Sequence, residues 1–518
     1  MKRRNKTKKQ IVLHPVMTFI ILILIVIVGS GILSLFNFSA SYNTLNSIRM
    51  DYTSTTESVE SLFSLSGLKY IFSNTVSNFA NFTVLSHLII ILLGIGVMEY
   101  SGFLKTAVEV LTKRVKKYTI TFVIILVGIL ASIVDNLPFI AFIPLAALIF
   151  KHGKRNPNIG IIASFASLTC GYGLSLFFSG SDSLLSKMTT TAANVLYPGY
   201  EISQFSMMFI MFVAIVILSI ALTFLTENYV ARKVPKFEFY EETPEEIAAR
   251  EHLSKGQLKG LVLAIIGSLA YLLIFLYNII PGLPLSGNFL NYRETLYIDK
   301  LFGANSFFAN GFVFIITMLF IIWGLLYGIG AKTIKNNREF VEAMGHSLNG
   351  IGKTLVFIFA SATFIAIFKQ SNIGNVIVAL LTSTIATSKF SGLALVIMLF
   401  VFSAIATFFV PTSIARWSIM SSQVVPTFLN VGISAEFTQV IFRFGECVTL
   451  GLTPLFAYFI IYLAYLERYS QDANGMKLFS AIKYQVPYSA ITFIILLSIL
   501  IIWYVIAIPL GFGGSIAI

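Results

Sequence analysis

The chain has 518 residues, 57% of them hydrophobic and 11% charged, with a mean hydropathy of +0.85. Soluble domains carry roughly twice that charged fraction, so the composition excludes an ordinary water-soluble protein and points to a bilayer. The net charge of +13 does not imply nucleic acid, because lysines and arginines cluster in short loops beside apolar segments, as the positive-inside rule expects.

In chain order, residues 1–15 form a basic cytoplasmic N-terminus, and the apolar run 16–36 crosses outward. That run is too long for a signal-peptide core of about 7–15 residues, so it reads as an anchor. The stretch 37–80 carries Asp51, Glu57 and Glu60 with few basic residues and is expected outside, where its serines and threonines allow a small external cap. Residues 84–104 return to Lys105 and the basic cluster at 113–117.

The apolar stretch 119–150 has basic residues at both ends and is interrupted by Asp135-Asn136-Leu137-Pro138. Both ends therefore belong on the cytoplasmic side, and the stretch reads as a re-entrant hairpin with its turn in the membrane. Residues 157–196 cross outward, broken around Gly180-Ser181-Asp182. Residues 204–228 return to a charged linker, 229–256, whose acidic run at 241–246 reads as a solvated surface helix.

The second repeat, 257–518, inverts the plan of the first, 16–228. Spans at 260–280, 305–331 and 350–371 precede a second interrupted stretch, 391–432, with Pro411-Thr412-Ser413 at its middle and opening from the outside. A second broken helix, 434–467, holds Arg443-Phe444-Gly445-Glu446 and Thr453-Pro454, and 487–508 leaves the C-terminus outside. The fold class is thus an all-α polytopic membrane protein. It has about nine transmembrane helices, two oppositely oriented re-entrant helical hairpins and an inverted repeat with broken helices. The alternative, prolines and glycines that merely kink ordinary spans, conflicts with the charge-derived topology.

Acidic residues deep in apolar segments carry the chemistry. A charge at mid-membrane costs roughly 2.5–3.5 kcal/mol on insertion scales and is retained against a partner or a water-filled cavity. Asp182 and Glu446 are such residues, each beside glycines. Half-helix N-termini suit carboxylate substrates, and unwound carbonyls with the hydroxyls of Ser179, Ser181, Thr412, Ser413 and Thr449 suit Na⁺. A buried carboxylate can carry a proton instead, so the coupling ion is H⁺ or Na⁺. Arg443 lies three residues before Glu446, on the same side of an intact helix, as a structural ion pair or as a pair that opens on binding. Trp417 either stacks on an aromatic substrate or packs. Asn372, polar without an apolar reason, is a further candidate.

Cys170 and Cys447 read as packing thiols, and the five histidines lack ligand spacing, so neither a cofactor nor a metal beyond Na⁺ is expected. An intramembrane enzyme would need a nucleophile with its base. A channel would more often show rings of charges or carbonyls. Both are weaker readings than a secondary transporter.

Further motifs are Gly94-Ile95-Gly96-Val97-Met98-Glu99, Ile143-Pro144-Leu145-Ala146-Ala147, Asp182-Ser183-Leu184-Leu185 and Ser371-Asn372-Ile373-Gly374. They continue through Ala415-Arg416-Trp417, Arg443-Phe444-Gly445-Glu446, Thr453-Pro454-Leu455 and Pro487-Tyr488-Ser489. Through these motifs the chain, from about residue 14 to 514, resembles the AbgT family, the p-aminobenzoyl-glutamate transporters. The resemblance implies a homodimer in a bacterial cytoplasmic (inner or sole) membrane. It also implies ion-coupled movement of p-aminobenzoyl-glutamate or related aromatic acids and, in some members, export of sulfonamide antimetabolites. By motif it makes Asp182, Asn372, Trp417, Arg443, Glu446 and Pro454 functional positions.

The chain departs from the family pattern at several places. Glu446 stands for the usual aspartate, Cys447 and Leu450 for serine and asparagine, Asp135-Asn136 for serine-aspartate at the first tip, and Ala435 for proline. A Na⁺-coupled dicarboxylate carrier of the same architecture is the competing expectation.

Overall fold

The computed structural model describes residues 14–46, 51–113, 115–239, 253–303, 306–472 and 475–517. The basic N-terminal tract and the acidic run at 241–246 lie outside the described residues. Among the described residues nine helical segments are long and apolar enough to cross a bilayer: Pro15–Leu35, Leu65–Ser101, Lys117–Val134, Met208–Lys233, Lys255–Ile279, Phe307–Ala331, Gly352–Gln370, Gly392–Phe409 and Leu478–Ile506. The count equals the expected one but its membership differs. It includes the first arm of each interrupted stretch and omits both broken helices.

The reason is length. The first broken helix is Pro157–Cys170 and Gly180–Ala193, 14 residues each. The second is Ala435–Thr449, of 15 residues, and Phe459–Arg468, of 10. At about 1.5 Å per residue none of these pieces alone covers an apolar core of about 30 Å. The second break falls at 450–458, beyond Glu446, so the helical turn from Arg443 to Glu446 is intact.

Each interrupted stretch is a pair of helices with a short tip. Lys117–Leu130 and Pro138–His152 flank one tip, Gly392–Phe409 and Ser413–Leu429 the other. Pro138 opens its helix at the first turn, where its missing N–H costs no hydrogen bond.

One element adds to the expected helical plan. The fold is mostly helical, but Ser39–Asn46 and Asp51–Ser58 form an antiparallel two-stranded hairpin, with Ser39 opposite Ser58. Its threonines are β-branched and suit a strand, and alternation buries Ala40 and Tyr42 while Ser39 and Ser41 face out. Helix Leu65–Ala80 follows and leads directly into Thr83–Ser101. A helix at Ile373–Thr387 and a short one at Tyr297–Phe302 were also not expected.

Every residue of Pro157–Cys170 is buried, and every residue of Ala435–Thr449 except the last. A helix buried on all sides belongs at a protein's centre, and these two form the middle of the molecule. Close approach is built in through glycine. A Cβ at Gly445 would sit 2.5 Å from Ser403 Cβ and 2.7 Å from Phe400 O on the Gly392–Phe409 helix. Gly445→Val is expected to lower stability by about 1–3 kcal/mol, the usual range for overpacking. An unchanged thermal midpoint in detergent would contradict this contact.

Candidate functional site

The start of helix Gly180–Ala193 positions the first acid. Ser179 caps it: the hydroxyl accepts from Asp182 N–H at 3.1 Å, while Asp182 Oδ2 accepts from Ser179 N–H at 3.1 Å and from its hydroxyl at 2.9 Å. This is a capping box with aspartate at its third position. It holds the carboxylate rigidly and leaves Oδ1 free to face Arg443.

Arg443 is the hub of the site. Its Nε lies 3.0 Å from Asp182 Oδ1, close enough for strong attraction though not aligned as a hydrogen bond. Nη1 donates to Glu446 Oε2 at 2.6 Å and to Ser413 Oγ at 3.4 Å, and Nη2 donates to the Tyr172 carbonyl at 3.2 Å. The Tyr172 ring faces the guanidinium at 5.6 Å. Glu446 Oε1 in turn takes a charge-assisted bond from Arg416 Nη2, on the helix that follows the second tip.

Arg416 and Glu446 have no exposure to solvent and Arg443 only 1%. Two cations therefore face two anions, and the four charges sum to zero in their ionised forms. Arg416 nevertheless keeps Nε and Nη1 without a partner, although its guanidinium lies over the Phe442 ring at 5.2 Å. The space between Asp182 and Arg443, under Met207 and Met211, is only about 10 Å³, room for about one water. The network is closed.

The remaining expected residues divide. Asp135 lies beside the cluster at the first tip, where its Oδ2 accepts from Ser181 N–H at 3.3 Å rather than pairing with either arginine. Asn136 sits beside it and Ser413 touches Arg443. Trp417 is completely buried; it donates to Thr189 Oγ1 at 2.9 Å and packs on Phe442 at 4.4 Å. It ties three helices together and offers no face for stacking. Thr449 donates to the Ala404 carbonyl at 2.5 Å, which pins the helix end. Thr412 is exposed and makes no cap bond, and Pro454 is half-buried in the second break.

Asn372 is engaged elsewhere. Its amide donates to Glu57 at 2.7 Å and to the Ser58 carbonyl at 3.0 Å, so it clasps the strand hairpin. Arg416 is the residue to which sequence reasoning gave no role. The signal was present: an arginine inside an apolar stretch carries the same burial cost as the acids. Among the described residues no group of three or more His, Cys, Asp or Glu is placed to hold a metal ion.

The family model of the AbgT putative transporter family matches residues 7–518. The chain belongs to that family. It is also 27% identical to the p-aminobenzoyl-glutamate transport protein of Escherichia coli (strain K12), over 96% of this chain and 94% of that one. Among solved structures it matches the Alcanivorax borkumensis YdaH transporter, described as having an unusual topology. That match has 22% identity and a TM-score of 0.47, covering 96% of this chain and all of the other. It likewise matches Neisseria gonorrhoeae MtrF, described as illuminating a class of antimetabolite efflux pumps, with 28% identity, a TM-score of 0.48 and 96% of both chains covered. This AbgT-family chain is a multi-pass membrane transporter, not an enzyme.

In this transporter the two arginines are not equivalent. Removing Arg416 leaves Glu446 paired with Arg443, whereas removing Arg443 leaves Asp182 without a cation. Breaking a buried pair from one side costs about 3–5 kcal/mol. Arg443→Met is therefore expected to destabilise by that order, Arg416→Met by clearly less, and Arg443→Met with Asp182→Asn to recover part of the loss. Equal shifts in thermal midpoint for the two single variants would contradict the hub assignment.

Proposed function

We propose that this transporter carries p-aminobenzoyl-glutamate or related aromatic acids across a bacterial cytoplasmic membrane, driven by H⁺ or Na⁺. One observation carries the reading: two buried guanidinium groups share a single carboxylate, Glu446, and Arg416 still has two unpartnered donors. A substrate carboxylate is the natural competitor for those donors, since guanidinium–carboxylate pairing is strong and directional. Its arrival frees Glu446, whose charge is then taken up by a proton or matched by Na⁺. The E. coli relative's name supplies the candidate substrate.

On this reading the two interrupted stretches are re-entrant hairpins of opposite orientation, the N-terminus is inside and the C-terminus outside, and the working unit is a homodimer. The same arginines favour any carboxylate, so a Na⁺-coupled dicarboxylate carrier stays as the second reading, with succinate as its test ligand.

Uptake of labelled p-aminobenzoyl-glutamate into proteoliposomes, with proton and Na⁺ gradients imposed separately, tests both. Accumulation under one gradient is expected, with Glu446→Gln binding substrate but failing to concentrate it, per folded molecule, under a proton gradient. Full accumulation by Glu446→Gln rules out Glu446 as the proton carrier. Uptake of labelled succinate that p-aminobenzoyl-glutamate does not inhibit selects the dicarboxylate reading.

A further inference from the structure

The first tip carries a feature that the guanidinium network does not explain. Asp135 has φ 53° and ψ −123°, the backbone of the first central position in a type II′ turn, where glycine is the usual residue. The turn is closed by Leu137 N–H donating to the Val134 carbonyl at 3.4 Å. An aspartate there is strained, and such strain persists where surrounding structure and function hold it.

Its side chain is also incompletely used. One oxygen accepts from Ser181 N–H at 3.3 Å, the Ser179 and Ser181 hydroxyls lie beside the carboxylate, and among the described residues its nearest cation, Arg443, acts on it without forming an ion pair. The neighbouring Asn136 Oδ1 is buried and has no partner. Both residues line a cavity of about 250 Å³ with Ser181, Tyr458, Phe302 and Phe308. A dry cavity of roughly 150 Å³ already accepts a benzene ring, so this one has room for a substituted ring. The walls are apolar, aliphatic at Ile133, Val134 and Leu137 and aromatic at Phe302, Phe308 and Tyr458, and the carboxylate and amide oxygens at the tip accept hydrogen bonds.

We propose that this cavity is the subsite for the aromatic amine end of the substrate. Asp135, with Asn136 Oδ1, accepts the N–H bonds of the amine, and the ring lies against Phe302, Phe308 and Tyr458. The inference rests on the reading of the substrate as an aromatic acid and assigns its other end. Ser181 and Asp182 are adjacent in the chain, so the amine subsite and the Asp182–Arg443 pair share one helix start.

The test compares binding of p-aminobenzoyl-glutamate with that of benzoyl-glutamate, which lacks the amine, to purified full-length protein. Asp135→Gly suits the turn better than aspartate does, so it is expected to fold at least as well. The wild type should prefer the amine-bearing ligand by about tenfold, as one charge-assisted hydrogen bond gives. Asp135→Gly should bind both ligands alike, at the wild-type affinity for benzoyl-glutamate, and Asp135→Asn should fall between.

A folded Asp135→Gly protein that keeps the preference overturns the subsite, as does one that weakens on both ligands equally. Na⁺-dependent tightening of both ligands, lost in Asp135→Gly, assigns the carboxylate to a cation and also overturns it. Wild-type protein that binds both ligands equally overturns the subsite alone. Wild-type protein that binds neither overturns the proposed substrate as well.

Discussion

The structure depends on the neutral cluster of Asp182, Arg443, Glu446 and Arg416. Each charge is costly in a dehydrated interior, by several kcal/mol even after relaxation. Only their mutual placement, with Tyr172, Ser179 and Ser413 as hydrogen-bond partners, makes the centre tolerable. That placement draws on four pieces of chain: the loop after Cys170, the start of helix Gly180–Ala193, the helix after the second tip, and Ala435–Thr449. None of the four charged groups is satisfied by its own helix alone. The cluster therefore sets the packing of the central helices as much as their apolar faces do.

The helix breaks follow from the same need. An unbroken helix hides its backbone donors, whereas a helix start exposes them, and the start at Gly180 aims its N–H groups at Asp135 and supports Asp182 through Ser179. Non-helical backbone at this depth is permitted only against protein, and here it is surrounded. Glycine makes the approach possible. A Cβ at Gly180 would collide with the Phe302 carbonyl, and one at Gly173 with the Arg443 carbonyl.

Much of this was legible because charge is rare in such a chain. An acid or arginine in an apolar run is conspicuous, and the three-residue spacing of Arg443 and Glu446 fixed their common face. Partners far apart in sequence were not legible. Asn372 reads as a site residue until the strand hairpin, some 315 positions away, supplies Glu57. The hairpin itself was hidden because short serine- and threonine-rich strands look like a loop. Trp417 was undecidable for a related reason: its indole donor meets Thr189, on a helix 228 positions earlier. Counting spans by helix length finds the same number but registers the first arm of each interrupted stretch in place of the broken helices, whose halves are individually too short.

Charge balance links stability to the proposed transport. The closed cluster is neutral, so a substrate carboxylate that enters and stays leaves the interior with an excess negative charge. In a medium of low effective dielectric that excess is opposed by several kcal/mol. A proton on Glu446, or a Na⁺ beside it, would offset the charge of one such carboxylate. On the proposed reading, coupling is a consequence of neutrality rather than a separate device. The unpartnered donors of Arg416 bear on the same point. They give the incoming carboxylate bonds that Glu446 does not already occupy, so exchange can begin before the Glu446–Arg416 pair has parted.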